Sequence, residues 1–162
     1  MSEHILEVKN LCKYFYLGKN KPPMKAVDDV SFTVPRGSTL GIVGESGCGK
    51  TTLGRTVLHL HEITGGQIIY DGVDITDYNS ARLRREGLRT RMQIVFQDPY
   101  SSLPPRMTIG DIIAEAVKVH KIVPDKELRD YVLGIMKKCG LHDYYYERYP
   151  HEFSGGQRQR IC

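Results

Sequence analysis

The eight residues Gly44-Glu45-Ser46-Gly47-Cys48-Gly49-Lys50-Thr51 constrain this chain more than any other stretch. They read G-x-x-x-x-G-K-[ST], a phosphate-cradling loop that is meaningful only between a strand and a helix. Both flanks are readable. Thr39-Leu40-Gly41-Ile42-Val43 has the length and branching of a buried strand. Thr51 through Leu60 has helical spacing, with Leu53, Val57 and Leu60 on one face. Glycines let the backbone turn tightly around an anion so that successive N–H groups point inward. The helix start adds its dipole, Lys50 a full positive charge, and Thr51 a hydroxyl for Mg²⁺. The competing reading is a glycine-rich turn that binds nothing, and the strand–loop–helix context argues against it. The stretch points to a nucleoside-triphosphate site.

The 162 residues are one domain's length and can bury a modest core. Hydrophobic content of 40% and charged content of 26% are those of an ordinary globular chain. No apolar run approaches the roughly 18 residues that cross a bilayer, and Met1-Ser2-Glu3-His4 does not open a secretory signal. Any membrane role is therefore expected to come through a partner. Cys12, Cys48, Cys139 and Cys162 show no metal-like spacing and read as reduced thiols. Cys48 alone sits in a cationic loop, which marks it as the reactive candidate without a catalytic task. Net charge is only +4. Arg82, Arg84, Arg85, Arg89 and Arg91 cluster, but no aromatic residues are interleaved among them. A solvated helix face is the better reading, and no nucleic-acid partner is expected.

Ahead of the loop, Ile5, Leu6, Val8 and Leu11 mark a strand, and Gly18 to Pro23 an exposed connection. Ala26 to Val34 reads as a second strand with Val30, Phe32 and Val34 on one face, closed by Pro35-Arg36-Gly37. After the loop's helix, Gln67 to Tyr70 is a strand ending in the hairpin signal Asp71-Gly72. Asn79 or Ser80 caps a short basic helix through Glu86, stopped at Gly87. Met92 to Phe96 reads as a second buried strand. From Thr108 the pattern is helical: Thr108 and Asp111 form a cap, and Ile112, Ile113, Ala116, Val117 and His120 follow at helical spacing. Pro124-Asp125 opens a helix bearing Leu128, Val132, Ile135 and Met136, ended by Gly140. The cluster Tyr144, Tyr145, Tyr146 and Tyr149 is read as packing. The predicted organisation is an α/β core over residues 1–97 and a helical subdomain over 98–162.

A second anion-accepting helix start lies at Phe153-Ser154-Gly155-Gly156-Gln157. Alone, Ser-Gly-Gly is also a plain turn; beside a P-loop it carries more. Together the two resemble the Walker A motif and the (L/F)SGGQ signature of the nucleotide-binding subunits of ABC transporters, and Gln97 matches that family's Q-loop glutamine. Phe96-Gln97-Asp98-Pro99-Tyr100-Ser101-Ser102-Leu103 and Arg148 through Arg160 are worded like the oligopeptide/dipeptide importer group, with nickel importers as a similar type.

The resemblance implies a P-loop NTPase (RecA-like) α/β core, preceded by an antiparallel β region and joined to a helical subdomain. Its implied ligands are ATP and Mg²⁺. Gly44, Glu45, Ser46, Gly47, Cys48, Gly49, Lys50, Thr51 and Thr52 would surround the phosphates: amides of Gly47 to Thr51 on the β-phosphate, Lys50 on the β- and γ-phosphates, Thr52 on the α-phosphate. Thr51 would ligate Mg²⁺, with Gln97 as a second metal or water contact. Phe15 would stack on adenine, with Tyr14 and Tyr16 as rivals. Ser154, Gly155, Gly156 and Gln157 would act on ATP held by a second subunit in a head-to-tail dimer. Transmembrane permease subunits, and indirectly an extracytoplasmic solute-binding protein, would place the assembly at the cytoplasmic face of the membrane.

The chain departs from the family in two ways. Leu103-Pro104-Pro105-Arg106 has proline where the group often has asparagine. More consequentially, no Walker B aspartate, catalytic glutamate, D-loop or switch histidine can be located; Asp71, Asp74 and Asp77 precede the signature and lack the apolar strand run. Phosphoryl transfer needs a metal-holding carboxylate and a group that orients water. The expectation is an ABC-type ATPase by family whose 162 residues bind ATP at best, with a core incomplete at its C-terminal side and a tendency to be marginally stable or to self-associate. A non-hydrolysing nucleotide-binding module and a soluble ABC protein of translation or DNA repair are the alternatives.

Overall fold

The computed structural model describes residues 2–18, 21–96 and 103–162. The chain divides into two compact units, Met1–Gln93 and Ile94–Cys162.

The first unit is built on an antiparallel sheet of order β2-β1-β3-β4. Its strands are β1 (His4–Phe15), β2 (Met24–Pro35), β3 (Gly65–Tyr70) and β4 (Val73–Asp74). Alternation in β2 turns Val27, Val30, Phe32 and Val34 inward between exposed neighbours, as the period-2 pattern requires. β1 and β2 are long but not regular: their pairing shifts register at four steps, among them between Leu11 and Lys13 and between Lys13 and Tyr14. Asn10 (φ 48°) and Asp29 (φ 55°) take left-handed conformations at these irregularities, and the Asn10 amide donates to the Asp29 carboxylate at 2.7 Å. Asp71 (φ 51°) and Gly72 (φ 79°) form the two-residue hairpin between β3 and β4, two positive φ angles in sequence. Three helices complete the unit: α1 (Lys50–Val57), α2 (Ser80–Arg85) and α3 (Leu88–Arg91). Asn79 caps α2 by accepting from the Arg82 amide at 2.9 Å. Leu53 and Val57 of α1, Leu83 of α2 and Leu88 of α3 join Val8, Leu11, Val27, Ile68 and Ile75 in one core.

Three expectations for this region are corrected. Leu40 to Val43 is irregular chain, not a buried strand, and Val43 is 95% exposed. Met92 to Phe96 is likewise irregular after α3, with Val95 and Phe96 exposed. A parallel strand is held by ladder neighbours and covered on both faces. Among the described residues the ladder contains only the four antiparallel strands, so neither apolar run has the partner its composition calls for. The third correction is α1, which ends at Val57: His59 turns left-handed (φ 53°), and Leu60 leaves the buried face.

The second unit is helical: α4 (Ile109–Val119), α5 (Leu128–Lys138) and α6 (Gly155–Ile161), joined by short 3₁₀ turns. Thr108 caps α4 through the Asp111 amide at 3.2 Å. The inward face of α4 carries Ile109, Gly110, Ala114 and Val117, whereas Ala116 is exposed. Gly140 (φ 69°) ends α5 as expected, its amide donating to Lys137 O at 3.1 Å and Leu141's to Met136 O at 2.9 Å. That pair of bonds satisfies two orphan carbonyls of the last turn. Val132 and Met136 meet Ile109, Ala114, Leu103, Leu141, Phe153 and Ile161 in the unit's core.

Candidate functional site

The P-loop lies between Val43 and α1. Gly47 (φ 82°) and Gly49 (φ 98°) hold the left-handed conformations that reverse the chain into the helix. A Cβ at Gly49 would stand 2.2 Å from the Ala26 carbonyl oxygen, so the loop packs directly on the start of β2. Leu53 donates the first bond into the helix, to Gly49 O at 2.8 Å. The amides of Lys50, Thr51 and Thr52 come before it and have no intrahelical acceptor. Three adjacent N–H groups at a helix start form an anion site.

Lys50 folds back over the loop. Its Nζ donates to Gly44 O at 2.8 Å and to Glu45 O at 2.6 Å, and lies 3.7 Å from Cys48 Sγ. The ammonium is thus held over the turn Glu45-Ser46-Gly47 by neutral carbonyls, which a polyphosphate can outbid because charge-assisted bonds are the stronger ones. A cavity of about 360 Å³ opens beside it, lined by Gly47 through Thr52 and by Met24, Lys25 and Ala26 of β2. None of these nine residues is acidic. Thr51 and Thr52 supply the hard oxygen side chains of this lining, and the hydroxyl of Thr51, exposed at the head of α1, could serve Mg²⁺.

Phe15 ends β1 opposite Met24, which borders the cavity. Its half-buried ring meets His61 edge-on at 5.6 Å, with Lys13 Nζ 4.8 Å from its centre. The rivals are placed differently. Tyr14 spends its hydroxyl on Asp28, which pushes the phenol's pKa up, and Tyr16 is 70% exposed beyond the strand. Asp28 is held below the usual carboxylate range by the Tyr14 hydroxyl first and then by Lys25, so the carboxylate is ionised at neutral pH. Gln97 lies outside the described residues.

In the second unit, Ser154 opens α6 with a reciprocal cap. Its Oγ accepts from the Gln157 amide at 3.4 Å, and Gln157 Oε1 accepts from Ser154 N at 3.0 Å. Gln157 Nε2 reaches the Tyr145 hydroxyl at 3.3 Å, and Tyr145 packs edge-on to buried Phe153 at 4.9 Å. Of the four tyrosines read as packing, Tyr145 and Tyr146 pack against the core, whereas Tyr144 and Tyr149 are exposed; Tyr145 also holds the signature glutamine. Gly155 and Gly156 follow the cap, and a Cβ on Gly156 would meet nothing.

Two of the three aspartates ahead of the signature have other occupations: Asp71 pairs with Arg36, and Asp74 accepts from Gln67 and Thr76. Arg89 caps the end of α1 through Leu58 O at 2.9 Å, and Arg82 stacks over Tyr78 at 3.8 Å. Sequence reasoning missed Met24, Lys25 and Ala26 at the cavity. The available signal was their place at the entry of the strand that pairs with the aromatic end of β1.

The sequence profile of the family described as ABC transporter matches residues 27–162, and the chain belongs to that family. Among its relatives, the oligopeptide transport ATP-binding protein OppF of Bacillus subtilis is 47% identical over 162 residues, covering 99% of this chain and 52% of that protein. The dipeptide transport ATP-binding protein DppF of Lactococcus lactis is 46% identical over 160 residues, covering 97% and 50%. A solved dimeric ATP-binding cassette in a post-hydrolysis state, bound to ADP and Pi, superposes with a TM-score of 0.79 at 25% identity, covering 96% of this chain and 66% of that one. The fold is thus that of an ABC ATPase cassette, a P-loop NTPase with an N-terminal β region. The chain spans about half the length of the curated relatives it matches. No helix among the described residues is long and apolar enough to cross a membrane.

Proposed function

We propose that this chain forms the nucleotide-binding portion of an ATP-binding subunit that couples ATP to peptide uptake. The observation that carries this reading is the pairing of Lys50 with three open amides at one cavity. Amides of Gly47 to Thr51 hold the β-phosphate, Lys50 exchanges Gly44 O and Glu45 O for the β- and γ-phosphates, and Thr52 takes the α-phosphate. Thr51 would hold Mg²⁺, which would supply positive charge to offset that of the phosphates. Phe15 stacks on the adenine; Met24, opposite it, borders the same cavity. Gln97 would add a metal or water contact.

The signature Ser154, Gly155, Gly156 and Gln157 acts on nucleotide held by a second, head-to-tail subunit; the capped and open start of α6 supports that role. The domain boundary near residue 97, the permease partners, the solute-binding protein and a place at the cytoplasmic membrane face belong to the same proposal. Peptides are favoured as cargo by the oligopeptide and dipeptide transport proteins to which the chain is 46–47% identical. Binding is the part of this reading that the cavity supports: its nine described lining residues offer a lysine and open amides to phosphate, and none of them is a carboxylate that could hold metal or orient water.

Calorimetric titration of Mg-ATP into this chain and its Lys50→Ala variant tests the reading. Saturable binding weakened by about tenfold or more is expected, since bonds to a charged group contribute about 1.5–3 kcal/mol. Equal binding by both proteins would overturn it. Hydrolysis by the chain that Lys50→Ala abolishes would extend the reading from binding to turnover.

A further inference from the structure

Lys25 stands outside the G-x-x-x-x-G-K-T motif, yet it lines the same cavity. Its position along β2 is bracketed. Met24 pairs with Phe15 on one side, and the Ala26 carbonyl lies against Gly49 on the other. Strands rise about 3.3 Å per residue, so Lys25 sits one step from the aromatic end and one step from the phosphate-facing turn. The pairing shifts register here: Lys13 faces Val27 and Tyr14 faces Lys25, which leaves Ala26 as the extra residue on β2. Bulges of this kind bend a strand and re-aim its side chains, often beside active sites.

The Lys25 ammonium is set in place by its neighbours. Asp28 divides its two oxygens, Oδ1 accepting from the Tyr14 hydroxyl and Oδ2 from Lys25 Nζ at 3.0 Å. The Tyr14 ring lies below, 5.2 Å from Nζ. An exposed lysine–carboxylate pair contributes little to stability, and side chains of Lys25 and Asp28 are both about half exposed. One bond to Asp28 leaves the ammonium two further N–H groups, which a polyphosphate of high charge density can take while Asp28 keeps Nζ in place. Lys50 already serves the far end of the loop. The position between Phe15 and Gly49 corresponds to the near end.

We propose that Lys25 is a second cationic contact for the bound nucleotide, acting at its α-phosphate and ribose, and that Tyr14 and Asp28 position its ammonium. The proposal rests on the P-loop being a nucleotide site.

Mg-ATP and Mg-ADP are titrated into the wild-type chain and into Lys25→Met, Lys25→Arg, Tyr14→Phe, Lys25→Met/Tyr14→Phe and Lys50→Ala, with thermal melts confirming that each is folded. Lys25→Met is expected to weaken ATP and ADP by the same factor, about fivefold to tenfold, as for one charge-assisted bond. Lys25→Arg restores affinity to within about twofold, because the charge is kept. Lys50→Ala weakens ATP more than ADP. Tyr14→Phe has a smaller effect than Lys25→Met and none in the Lys25→Met background, the signature of a residue acting through another. Unchanged affinity of Lys25→Met alongside loss in Lys50→Ala overturns this inference alone. A loss confined to ATP overturns the placement at the α-phosphate. Absence of binding by the wild type overturns the P-loop reading and this inference together.

Discussion

Gly49 and Ala26 are in backbone contact: a Cβ on Gly49 would lie 2.2 Å from the Ala26 carbonyl oxygen, and Gly49 has φ 98°. Two independent demands therefore fall on one glycine. Gly47 also has a positive φ (82°), but a Cβ there would meet nothing within 4 Å. The two positions separate strain from collision. Gly47→Ala is expected to cost only the left-handed penalty, about 1–2 kcal/mol. Gly49→Ala pays that penalty and must also push the loop off β2. Urea melts should show the larger loss for Gly49→Ala, and Mg-ATP titration should show that only it removes binding. Equal losses would mean that the contact with Ala26 does not set the loop's position.

The cap of α6 can be tested independently of the P-loop. Ser154→Ala removes the oxygen that receives the Gln157 amide and is expected to cost about 1 kcal/mol, whereas Ser154→Gly costs only a few tenths. Because the proposed task of Ser154 lies on a partner's nucleotide, Mg-ATP affinity of the dilute monomer should be unchanged by either. Urea midpoints paired with titrations check both halves, and a fall in monomer affinity would contradict the assignment.

Local rules made much of this fold legible, and the failures share one cause. The caps at Asn79, Thr108 and Ser154, the Asp71-Gly72 hairpin and the Gly140 stop each depend on residues within four positions, and all form. Leu40 to Val43 and Met92 to Phe96 carry strand composition but take no strand, because a parallel strand depends on partners distant in sequence. Leu60 was misplaced for a subtler reason: helical spacing continues through it, but the left-handed turn at His59 ends the helix first. At the site, the P-loop and signature were readable as motifs. Lys25 and Ala26 carry no motif of their own: their only signal was a place at the entry of β2, and the cavity they line depends on β2 pairing with β1 and meeting Gly49, contacts distant in sequence.

His59 offers a pH test. Burial, and then the charge of Arg89, lowers its pKa below the ordinary 6.5, and its Nε2 has no partner among the described groups. The fold thus favours neutral imidazole. As pH falls below about 6.5 the unfolded chain takes up this proton first, so the contribution present at neutral pH is lost downward until the folded group also titrates. His59→Asn removes the titration and suits φ 53°, a conformation asparagine tolerates well. The melting temperature of the variant should equal or exceed the wild type's at pH 7.5 and depend less on pH between 7.5 and 5.5. A parallel pair of pH profiles would show that His59 contributes nothing to the slope.

Val43 gives the most direct check on the corrected strand. At 95% exposure, beside Leu40 at 43% and Ile42 at 47%, its side chain has little burial to lose. Val43→Thr should therefore shift folding free energy by no more than about 0.5 kcal/mol, the range of ordinary surface changes. A buried strand residue would behave differently, since a hydroxyl placed in a core without a partner costs about 1–3 kcal/mol. Exposed apolar runs of strand composition also invite edge-to-edge pairing between molecules. The same substitution should lower the apparent mass of the chain in concentration-dependent light scattering if Val43 lies on such a contact. A loss above about 1 kcal/mol in urea melts, at a protein concentration where the wild type is monomeric, would place Val43 in a core after all.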